Sequence, residues 1–418
     1  MNFITLKPAE FTKFAEKSPY KSFLQTTEIA KLREKNGWIA YYFGVEENGK
    51  IKAAAMAVAK PTFLGKSLYS IPGGPLMDYE DTQLVDFFFK NLKKYAKSHN
   101  GYLLHIEPYY EIIERDKDGK IVENGFDHQK AIKNLKNLGF ISVKPENPQY
   151  LFVLDLNNLK ADELFASFKQ NTRNLINRTA RKGVKIRELN REELEKFKTI
   201  TESTSERRHF TDKTLDYYET MYDLFTKKDQ VKFVVAEIPK ATESGVAADT
   251  TSSTGINGAA KTGSETEVIS DSEGIRSVAA RGRAPSAHGD GADGRGPKSR
   301  NNSVSNIAIA AAMFMTYGNE VIYLFSGSDE AYMKEYNAQY AIQWYMIEHA
   351  IKNKFKRYNF YGIQGLPDPK KPGYGIYKFK KGFGAKYGKV VELLGAYELP
   401  INPLFYHLHA LLSKLKHH

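Results

Sequence analysis

Residues 38–60, WIAYYFGVEENGKIKAAAMAVAK, decide how this chain is read, because their pattern returns far downstream. A strand rich in aromatic and β-branched residues meets a Glu47-Asn48-Gly49-Lys50 turn of hairpin type and leaves as a strand of small residues. KSLYSIPGG, residues 66–74, then reads as a third strand. The second copy runs QVKFVVAEI (230–238), IAIAAAMFMTYG (307–318) and NEVIYLFSGS (319–328). Ala53-Ala54-Ala55-Met56 and Ala310-Ala311-Ala312-Met313 fall in the same strand of each copy. Each copy continues with an amphipathic helix, 81–97 and 337–354, and a further strand, GYLLHIEP (101–108) and RYNFYGIQG (357–365). Duplication of an α/β module is the economical reading.

Between the two hairpin strands of the second copy the composition changes abruptly. The 80 residues separating Phe233 from Phe314 hold no aromatic side chain, although aromatics make up 13% of the chain. Ala, Gly, Ser, Thr and Asp replace them, and such a mixture buries too little apolar surface to offset chain entropy. Residues 240–302 are therefore expected to be a disordered or aberrant insertion, a shifted reading frame being the second explanation.

The 418 residues leave room for two or three domains. Cysteine is absent, which closes thiol nucleophiles, disulfides and thiolate metal sites. Lys and Arg total 61 against 49 Asp and Glu, a net +12 that favours polyanionic partners such as nucleic acid, an anionic membrane face or a phosphorylated substrate. The N-terminal stretch MNFITLKPAEFTKFAEK carries charges where a secretory signal needs an apolar run, and no apolar stretch reaches membrane-spanning length. A cytoplasmic chain is expected, with peripheral contact at the inner membrane face compatible with its charge. His407 and His409, two apart on a helix, diverge and make a poor metal site. No GxxxxGK[ST] or HExxH motif occurs, and no glycine-rich loop for an acyl-coenzyme A donor is seen.

Between the copies, residues 162–189 (DELFASFKQNTRNLINRTARKGVKIREL) read as a basic helix carrying Arg173, Arg178, Arg181 and Lys182. Between Lys169 and Arg187 no acidic residue stands at i,i+4 spacing, so helical ion pairs do not explain the run. It reads either as a solvated face or as a phosphate-facing surface.

Nine strings taken in order resemble the Fem family of peptidoglycan bridge-forming aminoacyltransferases of Gram-positive bacteria. They are SPYKSFLQTTEIAKLREKNGW (18–38), YSIPGGPLMDYED (69–81), GYLLHIEPYYE (101–111), TARKGVKI (179–186), RRHFTDKTLDYYETMY (207–222), YLFSGSDEAY (323–332), YAIQWYMIEHAIKNKFKRYNFYGIQG (340–365), YKFKKGFGAK (377–386) and GAYELPINPLFYHL (395–408). The resemblance implies an α/β (α+β) fold of two tandem domains of the Gcn5-related acyltransferase (GNAT) type around a central cleft. The first would comprise 1–150 with 390–418, the second 151–239 with 303–389. It also implies transfer of an amino acid from aminoacyl-tRNA to the stem-peptide amine of a peptidoglycan precursor, lipid II or UDP-MurNAc-pentapeptide, with no cofactor or metal. Family members carry a coiled-coil arm where this chain has its low-complexity segment, which shows no heptad of apolar residues, so the resemblance does not extend to that arm.

Such a transfer needs a neutral amine, stabilisation of a developing oxyanion and a proton for the departing ribose hydroxyl. By resemblance, Phe379 and Lys380 match the family's Phe-Lys pair, with Lys380 facing the oxyanion, and Glu107 falls at an acidic position beside the cleft. Without it, Lys380 reads as an exposed lysine between Lys378 and Lys381, and Glu107 as a solvated strand end. Arg33 and Lys213 match basic positions that meet the precursor diphosphate. Tyr102, Tyr217, Tyr323 and Phe325 match aromatic positions around the precursor, and core packing is the alternative for all four. Arg173, Arg178, Arg181 and Lys182 are the candidate tRNA contacts. Two other functions fit the same strings: aminoacyl transfer to a protein N-terminus or other amine, and a non-catalytic RNA-binding or wall-synthesis scaffold.

Overall fold

The computed structural model describes residues 1–62, 64–240, 306–384 and 386–415. The expected insertion, apart from Lys240, lies outside the described residues. In chain order the strands are β1 (Asn2–Thr5), β2 (Ile39–Glu47), β3 (Lys50–Pro61), β4 (Ser67–Gly73), β5 (Gly101–Pro108), β6 (Glu111–Asp116), β7 (Ile141–Val143) and β8 (Tyr150–Asp155). After them come β9 (Lys185–Glu188), β10 (Val231–Ile238), β11 (Ile307–Tyr317), β12 (Glu320–Ser328), β13 (Arg357–Ile363), β14 (Gly388–Leu393) and β15 (Ala396–Pro400). The helices of the first half are α1 (Pro8–Lys17), α2 (Thr27–Lys35), α3 (Thr82–Ser98), α4 (Lys130–Asn137), α5 (Ala161–Ser167) and α6 (Gln170–Arg181). Those of the second are α7 (Leu194–Arg208), α8 (Leu215–Phe225), α9 (Glu330–Tyr336), α10 (Ala338–Lys352), α11 (Tyr374–Phe383) and α12 (Pro403–Leu415).

The strands form two sheets, ordered β1-β2-β3-β4-β5-β15-β7 and β6-β14-β8-β13-β12-β11-β10-β9. Asn48 and Gly49 both take positive φ, 51° and 72°, as the hairpin between β2 and β3 requires. In each sheet a helical crossover leads to a parallel neighbour: α3 joins β4 to β5, and α9 with α10 joins β12 to β13. The two-module α/β architecture expected from the repeat is present. Chain ends are exchanged between the sheets: β15 pairs with β5 in the first, whereas β6, from the 1–150 stretch, pairs with β14 in the second.

The repeated Ala-Ala-Ala-Met explains how the lobes join. Alternation in β3 sends Ala53, Ala55 and Ala57 into the first lobe's own core, and Ala54, Met56 and Val58 into a core shared by both lobes. In β11, Ala310, Ala312 and Phe314 enter the second lobe's own core while Ala311, Met313 and Met315 enter the shared one. Both strands are buried on two faces, which is why neither shows polar alternation.

Candidate active site between the lobes

Two helices from different lobes bring the expected cations together. Thr26 caps α2, its hydroxyl accepting from the Ile29 amide at 3.3 Å, and buried Gln25 bonds the backbone of Met56 and Pro72. Arg33 follows in the last turn, its guanidinium 5.6 Å from the Trp38 ring centre. On the other lobe Thr214 caps α8, and Asp212 is fixed by Tyr218 (2.6 Å), Thr201 (2.8 Å) and Lys198 (3.0 Å). Lys213 stands between these anchors with its ammonium 5.9 Å from the Tyr217 ring centre. Lys35 of α2 reaches Asp216 (2.5 Å) and Thr220 (2.7 Å) of α8, clamping the helices side by side.

Arg33, Lys213, Tyr217, Glu107 and Glu146 consequently act on one another electrostatically. Partial burial pulls the Lys213 ammonium down to about 8, and the neighbouring Arg33 charge adds to the effect. Partial burial also lowers the Arg33 guanidinium, against the pull of Glu146, Tyr217 and Glu107. Two cations held this close and short of water form a site that an anion would complete.

Glu107 ends β5 with only 8% of its surface exposed. One oxygen accepts from the Asn147 backbone amide at 2.8 Å and the other from the Asn147 side-chain amide. Burial pushes this carboxyl above the ordinary carboxylate range, outweighing the Asn147 hydrogen bonds and nearby His105. Tyr361 donates to the Asn147 side-chain oxygen at 3.2 Å. Glu107, Asn147, Pro148 and Tyr361 line a pocket between the lobes together with Phe23 and Gly73. Tyr361 has φ of +63°, unusual for a bulky residue, at a bulge in β13 where pairing with β8 jumps from Asn359 to Gly362. The Lys380 ammonium, 1% exposed, donates to the carbonyl of Gly362, the residue that follows Tyr361 of the pocket lining. Lys380 is thus an interior lysine rather than the exposed one its neighbours suggested.

The remaining expected residues fall elsewhere. Phe325 is buried in the shared core with its ring centre 6.1 Å from that of Tyr217, so it backs the cation site. Tyr323 lies in the second lobe's own core, its hydroxyl on Ser326. A bulge makes the difference: pairing with β11 skips Leu324, so two residues expected on one face point to opposite sides. Phe379 packs edge-on against Tyr340 at 4.8 Å in that same core. Tyr102 is buried at the start of β5, the opposite end from Glu107.

In the basic helix, Arg173 donates to the carbonyls of Ala166 (2.6 Å) and Phe168 (2.7 Å), and Lys182 pairs with Glu335 at 2.8 Å beside Tyr336. Arg178 and Arg181 are exposed. For Lys182 the acidic partner missing at helical spacing comes from another element, α9. Sequence reasoning missed Asn147, Glu146 and Tyr361; the one available signal was the turn-forming Pro145-Glu146-Asn147-Pro148 run between the modules.

Comparison with known proteins bears on this arrangement. A model of the FemAB family matches residues 6–414. Aminoacyltransferase FemA of Staphylococcus aureus (strain MRSA252) is 27% identical over 438 residues, spanning 100% of this chain and 99% of that protein. The protein of the same name from strain bovine RF122 / ET3-1 matches to the same extent. The crystal structure of FemX superposes with a TM-score of 0.71 at 18% identity, covering 98% of this chain and 99% of that one, a likeness of fold.

Proposed function

Because the chain belongs to the FemAB family, we propose that it is an aminoacyltransferase that carries an amino acid from aminoacyl-tRNA to the stem-peptide amine of a peptidoglycan precursor, lipid II or UDP-MurNAc-pentapeptide. The observation that carries the reading is the meeting of an anion site, Arg33 with Lys213, and a buried, proton-seeking carboxylate, Glu107, between two lobes. The cations take the precursor diphosphate, and Tyr217, backed by Phe325, flanks it.

Chemistry follows at the pocket. Glu107 removes a proton from the precursor ammonium, and its raised affinity for protons suits it to that task near neutral pH. The freed amine attacks the ester carbonyl of the charged tRNA, forming a carbon–nitrogen bond and a tetrahedral oxyanion. Lys380, bonded to the carbonyl of the residue that follows Tyr361 of the pocket lining, supplies positive charge towards that oxygen. Collapse breaks the carbon–oxygen ester bond; of the two protons the nitrogen sheds, the one held by Glu107 passes to the departing ribose oxygen and the other, released as the amide forms, leaves to solvent. Arg178 and Arg181, the exposed members of the basic helix, are assigned to tRNA phosphates.

The test presents a panel of charged tRNAs with both precursor forms and with a protein carrying a free N-terminus. Mass spectrometry of the stem peptide should show one added residue. Transfer to the protein alone, or none to either precursor, would overturn the reading.

A further inference from the structure

Among the described residues, eight large apolar side chains are exposed; four of them, Ile39, Leu64, Ile141 and Leu404, lie at one end of the first sheet, and a fifth, Leu411, is on α12, which starts there. Scattered exposed leucines need no explanation, whereas a cluster does. Strand direction makes the cluster. Ile39 opens β2 opposite Ala59, near the end of β3; Leu64 lies in the turn from β3 to β4; and Ile141 opens β7 opposite Glu398 of β15, two residues before that strand ends. α12 starts from the same end, held by the amides of Ile401 and Asn402 on the Tyr102 carbonyl at 2.9 and 3.0 Å. Lys66 of the β3–β4 turn lies 5.1 Å from the Phe405 ring centre, which fixes that turn beside α12. Leu404 and Leu411, seven apart, share a helix face, and Leu64 and Leu404 are each 75% exposed.

Charge identifies the partner. Residues 50–62, 64–77, 87–106 and 399–415, which include much of this end, contain no Asp or Glu. Lys94 and Lys97 are exposed towards the C-terminal end of α3, and Asn100, two residues beyond that helix, accepts from the Ser67 amide through its carbonyl at 3.0 Å. A second copy of the chain seated symmetrically would set lysine against lysine. A nucleic acid would leave the leucines facing phosphate. Glu398 also belongs to this end, half-buried 3.6 Å from His105, and the exposed charges around the leucines are mainly lysines. An apolar centre with a mainly cationic surround fits the surface of an anionic bilayer.

We propose that this end of the first lobe docks peripherally on an anionic lipid surface, with Leu64, Leu404 and Leu411 entering the headgroup–acyl boundary and the lysines meeting lipid phosphates. Among the described residues no helix is long and apolar enough to cross a membrane, so the contact is superficial. Glu107 lies six residues along β5 from Gly101, about 20 Å from the docked end.

Flotation with vesicles of phosphatidylcholine, alone or mixed with phosphatidylglycerol, tests the proposal without precursor or tRNA, so it stands apart from the transfer reaction. The protein should float with the mixed vesicles and much less with the neutral ones. Leu64→Ser/Leu404→Ser/Leu411→Ser should weaken binding by about tenfold or more, with an unchanged melting curve, whereas Ile121→Ser, exposed elsewhere, should bind as the parent does. Equal binding by the triple variant, or absence of parent binding to anionic vesicles, would overturn the proposal. So would parent self-association in sedimentation velocity that the triple variant abolishes, because it would assign the face to a second copy.

Discussion

Asn147 holds both oxygens of Glu107, one through its backbone amide and one through its side chain, and so fixes the carboxylate at the pocket wall. A carboxylate with 8% exposure would otherwise face desolvation alone. Tyr361 in turn orients Asn147, which links the bulge of β13 to the end of β5 across the lobe boundary.

The pH dependence of transfer should report this contact. Burial raises the Glu107 carboxyl and the Asn147 amides restrain it. Asn147→Ala removes the side-chain donor, so the acid limb of the kcat/KM profile should move to higher pH, with transfer slowed about tenfold or more. Glu107→Gln should remove that limb together with nearly all activity. An Asn147→Ala profile that superposes on the parent's would show that the amide does not tune the carboxylate.

Lys213 gives a prediction on the alkaline side. Its ammonium titrates at about 8, lowered first by burial and then by Arg33. Above that pH the free protein loses one of its two anion-site charges, and KM for the precursor should rise between about pH 7 and 9. A bound diphosphate favours the charged form, so saturating precursor should blunt the effect. Lys213→Arg keeps its charge and should flatten the KM profile. A profile unchanged by that substitution would remove Lys213 from the phosphate site.

Much of the fold was legible in residues 38–60 and 307–328, because small-residue strands buried on two faces leave a composition that few other elements share. The Asn48-Gly49 turn fixed a hairpin directly. The cation pair was legible only through family likeness: Arg33 and Lys213 lie 180 positions apart, and no local pattern forecasts that α2 and α8 are clamped together by Lys35 and Asp216. Bulges hid the rest. The skipped Leu324 separates Tyr323 from Phe325, and the bulge at Tyr361 turns the Gly362 carbonyl to Lys380; neither leaves a signature such as glycine at the irregular position.

Arg187 should prove a stabilising residue. It donates to Glu193 (2.7 and 2.8 Å) and Glu237 (2.8 and 3.0 Å), the latter carboxylate 2% exposed. Arg187→Met leaves Glu237 with Lys196 and Asn306, each at 3.4 Å, and should cost about 2 kcal/mol, below the value for a fully buried pair because Arg187 is partly solvated. The Arg187 hydrogen bonds hold Glu193 at about 2, and they outweigh the burial that pushes Glu237 up, leaving it lowered too. Both carboxyls therefore stabilise the fold above their ordinary pKa of about 4.5, and that contribution is lost as pH falls towards 2. Urea denaturation should show the gap between parent and variant closing over this window.

Tyr323 and Phe325, two positions apart, should separate under mutation because the bulge sends them to different cores. Tyr323→Phe deletes a hydroxyl bonded to Ser326, leaving that buried oxygen without its partner at a cost of about 1–2 kcal/mol. Nothing of the cation site rests on Tyr323, so KM for the precursor should hold. Phe325→Ala empties part of the shared core and should cost about 3–5 kcal/mol. It also withdraws the ring against which Tyr217 leans edge-on, so the surviving folded protein should show a raised KM with a smaller change in kcat. Unfolding curves alone would not distinguish the two roles; precursor kinetics measured well below each variant's melting temperature would. A KM raised by Tyr323→Phe would place that hydroxyl in contact with the precursor and contradict its assignment to the core.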